Sequence, residues 1–572
     1  MEYSAIFHDM DKRFSYAVDK DLFVIRVQVK KDDIKEIILH YEDKYIPLEW
    51  KDTRKTIPMK KVATSQFQDY YEAQIQMHLI CLRYFFEFTD MQGEKVYYGN
   101  YEFSKECITN RDRMFDCPQN LREEEMFEVP EWAANKVVYQ IFPSRFAATE
   151  PVDKELWYKA PITPMDDLHG NLRGIIEHMD DIQNLGIDVL YMTPIFQSNS
   201  CHKYDTTDYY QIDPSFGTTE DLKELVQKAH ERGMKVVLDA VYNHTGREFF
   251  AFADILENGE KSKYRDWYFI DGFPLKSEWG EIPNFKCFGY YGGMPKLNLK
   301  NPEVEKYITD VACYWIKECD IDGWRLDVGD EISHFFWKNF RKAVKAVKKD
   351  MLIIGEIWHY AGDFLEGDEW DTVMNYPFYL NLIDLLADEK ITVSQFVQNL
   401  GYLKGRLHKN CYPLMWNLID SHDTARFLHL CNDNKKKQHL AAAFQLLLPG
   451  MPMIYYGDEY AMPGANDPDC RRGMYWDEEY QDKEMYEWYK RLIQVRKSHA
   501  CIVEGELAGS VTEDEEGTIV LIRKNGEETI AMIFNCSSSA KKFNEYTQKY
   551  NLLTENTFDG NVEGFDAAVI VL

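Results

Sequence analysis

From about residue 136 to about residue 460, short apolar runs alternate with amphipathic stretches of helical period. The runs are "VVYQIFP", "IDVLYMTPIF", "MKVVLDAVYNH", "GWRLDV", "LIIGEIW", "MWNLID" and "PMIYYGDE", and "DTVMNYP" supplies an eighth. Between them, "GIIEHMDDIQNLG" reads as helix closed by Gly186. "TTEDLKELVQKAHERG" reads as a helix capped by Thr218 or Thr219 and ended by Gly233. "NPEVEKYITDVACYWIKE" has Asn301 as its cap and Pro302 at its first position. Alternating strands and helices specify a parallel sheet with helices outside. Eight such units close into a (β/α)8 barrel. The expected fold class is therefore α/β, a TIM barrel over 121–495. An inserted subdomain after the third strand, at about 245–300, accounts for an irregular, aromatic-rich stretch.

The flanks have a different texture. Residues 1–120 alternate with period two in "LFVIRVQVKK" and carry a hairpin pattern around Gly93, so an N-terminal β-sandwich is expected. "CPQNLREEEMFEVPEWAANK" reads as a solvated connection. Residues 496–572 return to β in "IVLIRKN" and "ETIAMIFNC", giving a C-terminal β-sandwich.

The net charge of −30 argues against nucleic acid and against an anionic membrane surface, and is compatible with a neutral substrate. The 12 cysteines show no CxxC pair or zinc spacing, so reduced thiols and a cytoplasmic setting are expected. The first residues hold no signal-peptide h-region, and no run of ~18 apolar residues appears.

In a (β/α)8 barrel, function sits at the C-terminal ends of the strands. Here those ends are polar: Asp239, Asn243 and His244 after the third strand, Arg325 and Asp327 on the fourth, Glu356 on the fifth, His422 and Asp423 on the seventh. A lone buried Asp–Arg pair is more often structural, and a lone histidine is more often a core residue. Polar ends on four strands point instead to a shared site, because buried charge is costly without partners. Arg325 and Asp327 alternate onto one face, so the arginine is expected to keep the aspartate ionised. Glu356 lies between apolar and aromatic neighbours, which favour the protonated acid. One ionised and one protonated carboxyl is the division of labour of a glycosidase.

Five stretches resemble the signature regions of the α-amylase superfamily, glycoside hydrolase family 13: "DAVYNH" (239–244), "MPKLN" (294–298), "GWRLDV" (323–328), "GEIW" (355–358) and "NLIDSHD" (417–423). "MPKLN" is similar to the neopullulanase, cyclomaltodextrinase and maltogenic amylase group. The N-terminal block is similar to that group's starch-binding-type domain. The resemblance implies retaining hydrolysis of α-1,4-glucosidic bonds in cyclodextrins, maltooligosaccharides and pullulan, with transglycosylation when a sugar replaces water. It implies Asp327 as nucleophile, Glu356 as general acid/base and Asp423 as transition-state stabiliser. It further implies Tyr204, His244, Arg325, Trp358, His422, Asp467 and Arg471 as substrate contacts. A homodimer through the N-terminal domain is implied too, with Tyr41, Tyr45 and Trp50 as candidate contacts. No cofactor is required. Relatives carry an Asn- and Gly-containing calcium loop where this chain has "SRFAATEPVDKELWYKA", so calcium is not expected there. Other readings are an α-glucosidase or 4-α-glucanotransferase of the same superfamily, or a non-catalytic barrel relative; the presence of all three carboxylates argues against the last.

Overall fold

The computed structural model describes residues 1–46, 54–76, 81–118, 126–277 and 282–572. Trp50 and part of the acidic connection, 119–125, lie outside the described residues. The chain forms two compact units. One comprises Met1–Val129, Ala361–Asp371 and Ile391–Tyr412; the other comprises Pro130–Tyr360, Thr372–Lys390 and Pro413–Leu572.

The larger unit is built on eight parallel strands: Val138–Ile141 (β1), Val189–Met192 (β2), Lys235–Ala240 (β3), Gly323–Leu326 (β4), Leu352–Gly355 (β5), Thr372–Val373 (β6), Trp416–Asn417 (β7) and Met451–Tyr455 (β8). They pair in barrel order, with β8 between β1 and β7. A parallel bridge from Met374 to Trp416 closes the ring. The residues of β1, β2, β4, β5 and β8 are all buried, as near-continuous apolar strands of a covered parallel sheet must be.

Helix boundaries follow local chemistry. Thr218 and Asp221 form a capping box at the start of Thr219–Glu231. Asn301 caps Pro302–Cys319 with the proline in its first turn. "GIIEHMDDIQNL" is divided at His178 into Leu172–Glu177 and Met179–Leu185, and Gly186 ends it at φ 102°. After β3 the described residues of the insertion include the α-helix Phe250–Asn258, short 3-10 turns at Gly259–Lys261, Arg265–Trp267 and Phe288–Tyr290, and isolated bridges, two of which tie His244 to Lys296 and Tyr268 to Leu297.

The C-terminal part of this unit is a six-stranded antiparallel sheet with Glu506–Glu513, Thr518–Asn525, Glu528–Asn535 and Asp566–Val571 as its long strands. Phe534 from this sheet stacks on Phe444 of the barrel helix Lys435–Leu447, with ring centroids 4.3 Å apart.

The smaller unit packs two sheets face to face. The first contains Leu22–Lys30 and Gln68–Gln76, the second Ile34–Asp43 and Cys81–Asp90. Val27, Leu39, Phe86 and Phe88 are among the residues that fill the space between them. Its helix Val393–Arg406 lies against Lys60–Thr64.

Candidate active site

The barrel brings the polar strand ends together at its C-terminal mouth. β3 and β4 pair so that Asp239 and Arg325 are register partners. Arg325 Nη1 lies 3.1 Å from both carboxylate oxygens of Asp239 and donates to Asp327 Oδ1 at 2.9 Å. Its Nη2 is 2.9 Å from Glu356 Oε2. One fully buried guanidinium therefore faces three carboxylates.

This differs from the expectation that Arg325 keeps Asp327 ionised, because the arginine is shared and the site is buried. Burial pushes the Asp327 carboxyl well above the usual carboxylate range, and Glu356 and Asp239 add to the push against the pull of Arg325. Asp239 rises to about 6, again chiefly through burial. The sequence shows the Arg–Asp alternation but not that two further carboxylates share the same charge. Glu356 is likewise not in purely apolar surroundings: it accepts hydrogen bonds from Val328 N at 2.9 Å and from Trp358 Nε1 at 3.2 Å.

Val328 makes the first of these contacts through its backbone. The strand ends at Leu326, and Val328 adopts φ 47° and ψ 44°. A β-branched residue rarely takes a left-handed conformation, at a cost on the order of 1–3 kcal/mol. Val328 is thus not part of the strand's packing face; its turn aims an N–H at Glu356.

The other half of the mouth centres on His422. Gln140 on β1 donates to His422 Nδ1 at 2.8 Å, which leaves the ring proton on Nε2. That nitrogen meets the Tyr204 hydroxyl and stands 3.1 Å from Asp423 Oδ2. Burial, then Arg471 and Arg325, holds His422 well below the usual histidine range, so the ring is neutral. Tyr204 also donates to Asp239 Oδ2 at 3.1 Å, linking the two halves. Arg471 donates to the His422 carbonyl at 2.8 Å, and its guanidinium lies 3.4 Å from Asp423 and 2.8 Å from Asp467.

His244 is buried and neutral, its pKa lowered to about 3 by burial. It stacks on Phe288 of the insertion at 5.1 Å. Its Nε2 meets no hydrogen-bond partner among the described residues. Trp358 is 41% exposed and stacks on Tyr376 at 3.9 Å, presenting an indole face to solvent beside Glu356.

Two contributors escaped sequence reasoning. Tyr191 on β2 donates to Asp239 Oδ2 at 2.6 Å, and Gln140 fixes the His422 tautomer. Both sit inside apolar runs; the available signal is that each interrupts its run with a polar atom.

In the loop where calcium is not expected, Asp153 caps the helix Lys154–Trp157, accepting from Glu155 N at 2.8 Å and Leu156 N at 3.2 Å. Lys154 pairs with Asp477 at 2.6 Å. Among the described residues, no group of three or more His, Cys, Asp or Glu side chains is arranged to hold a metal ion.

Carboxyl groups gathered on one arginine at the mouth of a (β/α)8 barrel, between a tyrosine and a tryptophan ring, define a glycoside hydrolase site. The chain matches the family described as "Alpha amylase, catalytic domain" over residues 140–480 and "Alpha amylase, N-terminal ig-like domain" over 1–119. It therefore belongs to the α-amylase family, glycoside hydrolase family 13, in the group of cyclomaltodextrinases, maltogenic amylases and neopullulanases. A cyclomaltodextrinase from Geobacillus thermopakistaniensis is 43% identical, covering 94% of this chain and 92% of its own. Neopullulanase 2 from Thermoactinomyces vulgaris is 39% identical, covering 93% and 90%. The solved structure of a cyclomaltodextrinase superposes with a TM-score of 0.94 at 37% identity, over 100% of both chains.

Proposed function

We propose that this glycoside hydrolase cleaves α-1,4-glucosidic bonds of cyclodextrins, maltooligosaccharides and pullulan with retention of configuration. The observation that carries the reading is the Asp327–Arg325–Glu356 arrangement, two carboxyl groups from adjacent strand ends held on one guanidinium. Glu356 gives its proton to the glycosidic oxygen while Asp327 attacks the anomeric carbon. The bond to the leaving sugar breaks as the glucosyl–aspartyl ester forms. Water then attacks that ester and gives its proton to the Glu356 carboxylate, restoring both groups. A sugar hydroxyl in place of water yields a transglycosylation product. Asp423, His422, His244 and Tyr204 surround the reacting ring, and Asp467 and Arg471 reach the next sugar inward. The names of the relatives support the substrate range.

The reading extends to a cytoplasmic homodimer, formed through the N-terminal domain, that works without calcium. A relative 38% identical is the intracellular maltogenic amylase of Bacillus subtilis, which supports the location. No helix among the described residues is long and apolar enough to cross a membrane. Tyr45, 65% exposed, is a candidate dimer contact.

Product analysis tests the activity. Panose from pullulan and α-configured maltose from cyclodextrin, read by NMR before mutarotation, are the expected results. Glucose alone from pullulan points to an α-glucosidase, and β-configured product overturns retention. Turnover that survives exhaustive chelation supports the calcium-free reading, and sedimentation velocity reports the dimer.

A further inference from the structure

A cavity of about 500 Å³ opens outside the catalytic mouth, on the flank of the barrel unit. Tyr210, Phe250 and Tyr307 wall it with aromatic rings, and Asp208, Glu248 and Gln197 add polar groups. None of the side chains placed at the catalytic mouth lines it. The rings are set at angles to one another: Tyr210 and Tyr307 at 5.8 Å and 90°, Phe250 and Tyr307 at 5.7 Å and 63°. Phe250 is 43% exposed even though it also packs on Tyr264 and Trp267. A ring held this firmly and left this open is a preformed platform, because contact with it costs little further ordering.

The chemistry of the lining selects the ligand class. No cationic side chain lines the cavity, so it does not suit an anion. Ring faces combined with carboxylate and amide groups suit an uncharged polyol, whose C–H faces stack while its hydroxyls donate to acceptors. Asp208 is oriented by its own backbone, accepting from Tyr210 N at 2.8 Å. No arginine stands between two carboxyl groups here, in contrast to the catalytic mouth.

We propose that this cavity is a second binding site for a neutral α-glucan segment, which it holds without cleaving. The hairpin that builds it connects it to the catalysis. Gln197 lies on the strand Phe196–Ser198, and Asp208 and Tyr210 lie on Thr206–Ile212. The turn between those strands carries Tyr204, which reaches His422 and Asp239 in the mouth. The hydroxyl of Tyr209, between the two cavity residues, lies 2.8 Å from the backbone carbonyl oxygens of both Val241 and His244, which share its one proton. A long glucan anchored on the flank is thereby held beside the cleft on the same rigid element.

The proposal rests on the α-glucan reading above, and the test separates the two. Maltoheptaose is titrated by calorimetry into an Asp327→Asn variant, which retains its substrate. Two classes of site are expected. Phe250→Ala in that background removes the weaker class and leaves the other. Glu248→Ala, a change at an exposed position, provides a second variant should the first fail to fold. In the active enzyme, each change raises KM for long maltooligosaccharides by about threefold or more and leaves maltotriose turnover unaltered. A single class of site in the Asp327→Asn variant, or a second class that survives both changes, overturns the proposal. Absence of all maltoheptaose binding overturns the α-glucan reading itself.

Discussion

At the residue scale, the arrangement turns on how one guanidinium is divided. Asp239 takes Arg325 Nη1 on both its oxygens and receives hydroxyls from Tyr191 and Tyr204, so it orients the arginine from behind without facing the cleft. It is a positioning residue. Asp239→Asn removes one negative neighbour of Asp327. A carboxyl raised by such a neighbour stays protonated to higher pH, so removing the neighbour lets it ionise earlier. The acidic limb of the kcat/KM profile is expected to move to lower pH, with kcat reduced about tenfold or more as Arg325 loses its anchor. An unshifted limb would show that Asp239 is purely structural. Glu459 offers a separate case. It is buried, accepts from the Tyr139 hydroxyl at 2.7 Å and from Gly457 N at 2.9 Å, and burial lifts it to about 7. The folded state binds this proton over a window in which the unfolded chain has released it. Its contribution is therefore full below about pH 4.5 and is lost as pH rises through about 7. Glu459→Gln should erase that component, on the order of 3 kcal/mol. The difference in unfolding free energy between wild type and variant, measured from pH 5 to pH 8 (roughly the titration window), should then change in favour of the variant. A constant difference would contradict the assignment.

At the element scale, the sequence announces most of the barrel because its strands are buried on both faces and read as apolar runs. The sixth strand is harder to see. Thr372–Val373 pairs over two residues, and the ring closes through the short Met374–Trp416 bridge with a side-chain hydrogen bond from Asn375 Nδ2 to Asn417 Oδ1 at 2.8 Å. The polar strand ends are legible in the same way, since a carboxylate within an apolar run needs an explanation. The sharing of Arg325 is not legible, because register between strands far apart in sequence is set by the closed barrel. Nor does the helix Val393–Arg406 reveal its partner: its amphipathic period marks a buried face but not what covers it. The glycines on that face hold the answer. A Cβ at Gly401 would collide with the Thr64 carbonyl, and one at Gly405 with the Tyr70 ring. Gly401→Ala is expected to force the helix off its strand and destabilise the smaller unit by about 1–3 kcal/mol. Its separate unfolding step in calorimetry should fall in temperature while cyclodextrin turnover, measured below that step, persists. A small rise, as helix propensity alone would give, would show that the helix is free to shift.

At the scale of the whole molecule, the compact units do not follow the linear order of the chain. The smaller unit includes Ile391–Tyr412, far downstream of the N-terminal block that supplies its sheets. The reason lies in the chemistry of its core edge. Arg26 is buried, bound to Glu72 Oε1 at 2.6 Å and 2.8 Å, and its Nη1 donates to the Leu407 carbonyl at 2.9 Å. His408 packs on Tyr16 with ring centroids 4.1 Å apart. Asn410 Nδ2 donates to the Val18 carbonyl at 3.2 Å. A fragment ending at Val129 loses all three partners and uncovers the face of Lys60–Thr64 beneath the helix. Exposed apolar surface and an edge strand without its cover favour association. The fragment 1–129 is therefore expected to aggregate or to unfold at much lower temperature than the same unit in the full chain. Joining residues 391–412 to it through a flexible linker should restore a cooperative transition, read by circular dichroism. If 1–129 alone unfolds as cooperatively and at the same temperature as the linked form, the downstream segment is a passenger on the sandwich and not part of its core.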